Sequence, residues 1–431
     1  MSTRLASMFN RSRFRLLFLA QPLPSMSAFR ALRHRDFSIY FAGQLISLVG
    51  TWMQSVALGW WVYRLTGRVS LLGLVMFAAQ APTLLLAPLG GMLADRMPAR
   101  TLLLITQATY LVQALGMTLL AFSGHPTIPM ILGLAVASGA ITAFDLPGRQ
   151  VLVAQVVDQE TLPNAIALQS AIFHGSRIVG PFFALHIVAI SHEGWCFLVN
   201  AVSYMASIAA LAVLRTRYQP EYKERHSALQ QITEGFQFIW ERPAFRHLMG
   251  LLALIVGLGM PFTTLLPALA QGVLHIDARG LGWLVVSSGL GATAGAMLLA
   301  TRKEVKGLDR MVFASAVFFA ASLGCFAQAR SLTPAMILLP LASFGLVAFN
   351  TATNTLAQLM TPNAMRGRVT SLYSMVFMFA MPLGILGTGF LGQRLGLPLT
   401  LGLGAGGCLV GALVFAGVYP KRTVAPVDTV A

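Results

Sequence analysis

About twelve apolar runs, most of them close to twenty residues or longer, alternate with short polar loops along almost the whole chain. A helix rises 1.5 Å per residue, so a run of that length matches a hydrocarbon core about 30 Å thick. Few other settings tolerate such a pattern, and the composition agrees with a bilayer. Only 10% of residues are charged, against roughly 25% in a soluble domain, and 56% are hydrophobic with a mean hydropathy of +0.72. The runs read as helices near 39–63, 71–93, 101–122, 128–144, 165–190 and 194–214, then near 245–273, 281–300, 311–328, 332–359, 369–391 and 397–418. The expected protein is an all-α integral membrane protein with a basic tail (1–37), a six-helix bundle (38–214), a linker (215–245), a second six-helix bundle (246–419) and a short tail (420–431). Within the linker, Leu229, Ile232, Phe236 and Ile239 recur at helical spacing and predict an interfacial amphipathic helix.

The formal charge of +16 points to orientation rather than to nucleic acid, because the bases sit in short loops between apolar runs. One set of loops holds the amino-terminal tail, Arg96, Arg100, Arg149, the linker, Arg302, Lys303, Lys306, Arg310, Arg366, Arg368, Lys421 and Arg422; the opposite set holds Arg64, Arg68, Arg279, Arg330 and Arg394. The basic side is therefore expected to be cytoplasmic, with both termini on it. Cys196, Cys325 and Cys408 fall within apolar runs and show neither disulfide nor metal spacing. No phosphate-binding loop, paired-histidine motif or nucleophile elbow is present, so neither an enzyme, a cofactor nor ATP is implied.

The halves echo each other. Gly73 and Gly282 stand 209 positions apart, as do Asp95 and Glu304, and Ala154-Gln155 and Ala357-Gln358 each precede a helix in corresponding places. Duplicated halves around a midplane site are a common transporter plan. Nearly all acids fall in loops or at helix ends; Asp36 and Asp145 are the nearest candidates for a proton site. The fifth helix breaks the apolar rule. Ser170, His174, Arg177 and Pro181 follow steps of four, three and four, which places them on one face. Arg177 lies 13 residues beyond Asn164, about 20 Å along the helix. A guanidinium at that depth costs ~2.5–3.5 kcal/mol on insertion scales. It should face water, a polar partner or an anionic ligand, or else bond to backbone carbonyls. His174 reads either as a group titrating near neutral pH or as a packing residue. Gln44, Gln54, Asn350, Asn354 and Gln358 either line a cavity or join helices.

Residues 90–100, GGMLADRMPAR, sit between the second and third apolar runs. This stretch resembles the signature loop of the major facilitator superfamily, matching at Gly91, Leu93, Ala94, Asp95, Arg96 and Arg100 and departing at Pro98 and Ala99. The resemblance implies the twelve-helix major facilitator fold, its two six-helix bundles related by pseudo-symmetry. It also implies a latch in which Asp95, with Gly91, Arg96 and Arg100, meets Arg366, Gly367 and Arg368 across the two halves. On the residues alone, Asp95 reads as lying just before the third helix, at the positive end of its dipole. Residues 176–185, SRIVGPFFAL, resemble a degenerate antiporter motif through Gly180 and Pro181, which suits a helix-packing pivot. Residues 29–54, 143–150, 162–181 and 193–204 are similar to the enterobactin-exporter branch, also described as transmembrane secretion effectors, and to macrolide efflux proteins. That likeness implies a monomeric carrier in the bacterial inner membrane. It would export a small amphipathic compound, a drug or siderophore, against protons by alternating access. An importer or lysophospholipid flippase on the same scaffold, or a sensor that moves nothing, are the alternatives.

Overall fold

The computed structural model describes residues 29–215, 237, 239–300, 307–362 and 365–419. Among these, twelve helices are long and apolar enough to span a bilayer. They are α1 (Arg35–Thr66), α2 (Val69–Ala78 continued by Ala81–Arg96), α3 (Ala99–Phe122), α4 (Ile128–Val156), α5 (Leu162–Ile190) and α6 (Glu193–Val213). The second half holds α7 (Pro243–Leu254, a π-turn Ile255–Gly259, then Phe262–Gly272), α8 (Ala278–Ala300), α9 (Leu308–Phe326), α10 (Leu332–Leu359), α11 (Arg366–Leu395) and α12 (Leu397–Val418). The amino-terminal tail up to residue 28, most of the linker, Glu304 and the final tail lie outside the described residues, as do the side chains of Arg366 and Arg368.

The two bundles repeat one packing scheme. α1 packs on α6, α3 on α6, α2 on α4 and α3 on α4; α7 on α12, α9 on α12, α8 on α10 and α9 on α10 do the same in the second half. Ala154-Gln155 and Ala357-Gln358 occupy the last turns of α4 and α10 rather than preceding a helix. Gly73 and Gly282, matched in sequence, both sit where one half meets the other, Gly73 against Gly389 of α11 and Gly282 against Leu185 of α5.

Sequence reading ended the fourth helix near Phe144, and the structure corrects this. α4 continues to Val156 through Asp145, Pro147, Gly148 and Arg149. Those residues read as breakers, but Asp145 and Arg149 are four apart and neutralise each other, and Asp145 is buried and held by Thr106 and Gln107 of α3 while Arg149 is half-buried beside it. Arg149 therefore belongs to a membrane-spanning helix and not to the basic loops.

Contacts between the halves gather at one end. On α1, Gly59 faces Pro267, Gln271 donates to the Trp60 carbonyl at 3.5 Å, and Tyr63 meets Gly272, all on α7. On α2, Gly73 lies against Gly389, where an added Cβ would come within 3.0 Å of backbone, and the Ser70 N–H points to Gln393 at 3.5 Å. On α5, Ile178 and Leu185 touch Gly289 and Gly282 of α8. Each of these positions lies in the middle or toward the end of its helix away from the chain termini. The far end is thus sealed by three helix pairs. Toward the terminal end, Gly91 of α2 and Gly367 of α11 have open space around them. The result is a funnel between the halves, closed at the far end.

Candidate functional site

Among the described residues, most of the buried polar side chains belong to the first half. Asp145 is 4% exposed and acts as a hub. Its Oδ1 accepts from Thr106 Oγ1 at 2.9 Å and Gln107 Nε2 at 2.8 Å, and its Oδ2 pairs with Arg149 Nε. Ser47 of α1 leans on Gln107 at 3.4 Å. Sequence reading missed Arg149 as a site residue. The available signal was the spacing of an acid and a base one turn apart inside an otherwise apolar stretch.

A second polar chain stitches the same bundle. Gln113 donates to the Leu134 carbonyl at 3.1 Å, Gln54 donates to Gln113 at 3.0 Å, Asn200 donates to Gln54 at 2.8 Å, and Ser203 donates to Asn200 at 3.0 Å. Both ends of the Gln54 amide are engaged, so it joins helices and does not line a pathway. Gln44 is likewise buried within the bundle. Asp36 stands in the first turn of α1, where a carboxylate suits the helix dipole, far from the midplane.

α5 carries the group that sets the site apart. Gly180 lets it press on α1; a Cβ there would come within 2.7 Å of both Trp52 Cβ and the Val49 carbonyl. That contact sets the Trp52 indole beneath Arg177, with the guanidinium carbon 5.4 Å from the ring centroid. Phe173 meets Trp52 edge-on at 5.7 Å. Ser170, His174, Arg177 and Pro181 share one face, between the line of contact with α1 and the line of contact with α8. Along that face Ser170 and His174 are exposed, Arg177 is half-buried, and Pro181 and Leu185, toward the sealed end, are buried. A wall of a funnel narrowing toward the far end has this gradient. The opposite face, with Val179, Phe183 and Ile190, is apolar and exposed, as lipid requires.

In the second half, Tyr373 of α11 donates to the Asn350 carbonyl at 3.1 Å, while Asn350 Oδ1 is buried without a partner. Gln358 donates to Asn354 at 2.6 Å on an exposed face. At the far end, Glu193 is fully buried and accepts from Arg64 Nη2 at 2.8 Å, tying the last turn of α1 to the first turn of α6.

The signature loop differs from expectation in two respects. Asp95 lies in the last turn of α2 and does not cap α3, whose N-cap is Pro98. Arg100 donates to the carbonyls of Leu211 and Ala212 at 2.8 and 2.6 Å, so it caps the end of α6 inside its own bundle. A guanidinium on terminal carbonyls is favoured by the helix dipole, and the short turn at Pro98 brings Arg100 within reach.

A family model described as transmembrane secretion effector matches residues 26–425. The staphyloferrin A transporter of Staphylococcus aureus is 28% identical over 290 residues, covering 66% of this chain and 72% of the relative. The enterobactin exporter EntS of Shigella boydii is 25% identical over 79% of this chain and 81% of its own length. The multidrug efflux pump Tap of Mycolicibacterium fortuitum is 24% identical over 84% of this chain and 90% of its own. Among solved structures, a bacterial homologue of the iron transporter ferroportin in an inward-facing state superposes with a TM-score of 0.70 at 16% identity, over 90% of this chain and 99% of that one.

Proposed function

The chain belongs to the transmembrane secretion effector family of the major facilitator superfamily, and from that premise we propose that it exports a small amphipathic compound by alternating access, in exchange for protons. The observation that supports this reading best is the funnel, sealed by three helix pairs at the far end, with Arg177 at mid-depth on its wall. The positive-inside bias supports a cytoplasmic open end with both termini there, and the membrane in this reading is the bacterial inner membrane. Asp145 is the proton site. It is the one acid among the described residues that lies well inside a span, 11 residues before the end of α4, or about 17 Å. Protonation at Oδ2 would release Arg149, while Oδ1 keeps its donors Thr106 and Gln107, so the change is passed on through the freed guanidinium. The protein acts as a monomer, since each half supplies one wall of the cavity.

α2 and α11 supply the alternation. Gly91 stands 18 residues beyond Gly73, five helical turns further along. Gly73 is in contact with α11 at the sealed end, and Gly91 awaits contact at the open end. In the opposite state the end of α2 at Gly91 closes on the start of α11 at Gly367. Glycine at both places permits the close approach that each closed state needs.

Two experiments test this. In a cell lacking its own efflux pumps, expression should lower retention of at least one toxic amphipathic compound, and an uncoupler should abolish the effect. Unchanged retention across a broad panel, or indifference to the uncoupler, sinks export or proton coupling respectively. For alternation, Gly73→Val should raise thiol labelling of a cysteine placed at Ser70, at the far end. Gly91→Val or Asp95→Asn should instead raise labelling of one placed at Ser371, at the terminal end. A variant that raises labelling at both Ser70 and Ser371, or at neither, refutes the scissoring of α2 and α11.

A further inference from the structure

Resting on the transport reading above, we propose that the cavity selects an organic anion with an apolar body, and that Arg177, laid on Trp52, is the residue that holds the anionic group. Arg177 stands 15 residues after the first residue of α5 and 13 before the last, about 20 Å from either end. Lipid phosphates do not reach that depth, so an anion there has to arrive through the funnel.

Charge accounting in the first half gives the sign. Arg149 is paired with Asp145, and Arg64 with Glu193. Among the described residues no acid pairs with Arg177; its guanidinium lies over the indole. The wall of the cavity therefore carries a fixed positive charge at mid-depth. In a low-dielectric surrounding such a charge attracts anions and repels cations much more strongly than it would in water. Stacking on an aromatic face leaves the N–H edges of the guanidinium directed away from the ring, and these match a carboxylate bidentately.

The rest of the site supplies the apolar part. Trp52 and Phe173 form a continuous aromatic corner beside Arg177. α11 turns Phe379, Leu383 and Phe390 outward, all well exposed, so Phe377 and Met381, both half-buried, fall on its inner side. A flexible thioether and aromatic rings adapt to varied apolar shapes.

The test uses purified full-length protein in nanodiscs and three probes of one shape: 2-naphthoate, 2-naphthamide and 2-naphthylmethylammonium. Affinities are read from tryptophan fluorescence. Naphthoate should bind the wild type at least tenfold tighter than the amide, and the ammonium compound most weakly. Arg177→Gln should remove the preference, bringing naphthoate and naphthamide within threefold of each other, and Arg177→Lys should restore part of it. If Arg177→Gln is not monodisperse, Trp52→Ala is read instead: the charge loses its platform, and naphthoate affinity should fall at least threefold. Equal binding of the three probes, preference for the cation, no saturable naphthoate binding, or a preference that survives Arg177→Gln overturns the proposal. The outcomes separate it from the transport reading. Anion-selective binding without movement of any compound removes transport alone. Energised export of cationic dyes with no anion preference removes this inference alone.

Discussion

Replacing Asp145 with Asn should damage the first bundle more than any other single change to its polar interior. The amide keeps an oxygen for Thr106 and Gln107 but turns an N–H2 toward Arg149, donor against donor, where the carboxylate now pairs. Removing one partner of a buried ion pair costs about 3–5 kcal/mol. At roughly 2–4 °C per kcal/mol for a unit of 150–250 residues, the melting temperature should fall by ~6–20 °C. Arg149→Gln should be milder. A lone buried carboxylate neutralises itself by taking a proton, whereas a guanidinium does not give one up. The double variant, with neither charge, should recover most of the loss. Thermal unfolding of the purified protein followed by intrinsic fluorescence gives all three values. Asp145→Asn melting within 2 °C of the wild type, or Arg149→Gln proving the more harmful, would refute the reasoning. A functional consequence accompanies the stability order. Arg149→Gln removes the partner that responds to Asp145, so exchange of substrate should persist while transport driven by a pH gradient is lost.

Other sites separate packing from motion. Gly90→Val should sharply lower the yield of folded protein, because a side chain there falls on the Ala143 carbonyl where α2 crosses α4, while Gly91→Val should fold normally, having nothing within 4 Å; fluorescence-detected size exclusion distinguishes them. Gly180→Val should push α5 away from Trp52 and reduce export more than abundance, measured by transport normalised to protein in the membrane. Arg100→Gln should cost only about 1 kcal/mol, since its bonds to the end of α6 are partly exposed, and should leave the thiol accessibility of both faces unchanged. A shift in accessibility would return Arg100 to the latch.

The span pattern was readable because bilayer thickness fixes helix length, and eleven of the spans needed only small adjustment at their ends. α4 was the exception. Asp145, Pro147 and Arg149 are helix enders singly, and the packing of Asp145 and Gly148 against α3 is what carries the helix through them. The same gap explains Gln54 and Arg100. Sequence shows that a polar group lies in an apolar run or a basic one in a loop, but not whether a partner helix uses up its hydrogen bonds. Arg177 was legible because no hydrocarbon environment accepts it unaided. Its platform was not, since the approach of Trp52 depends on a crossing between α1 and α5 at Gly180. Glu193 is an acid at a helix end along the chain, yet it is fully buried because Arg64, 129 residues away, pairs with it.

The duplication argues that the Asp145–Arg149 pair is kept for something other than stability. Ala154-Gln155 and Ala357-Gln358 stand 203 positions apart, both in last turns, and the same offset carries Asp145 to Ala348 and Arg149 to Ala352. Both alanines are buried, at 1% and 0% exposure, in the helix that repeats α4. One packing scheme therefore tolerates an ion pair in one half and two methyl groups in the other. Well-packed apolar residues usually replace a buried ion pair without loss, or with a gain, in stability. A half selected only to hold its shape would have no reason to retain the charges. Their presence where Asp145 meets α3, in the half that also carries Arg177, fits the coupling role proposed for Asp145. On this reasoning the first half carries the chemistry, and the second half closes against it.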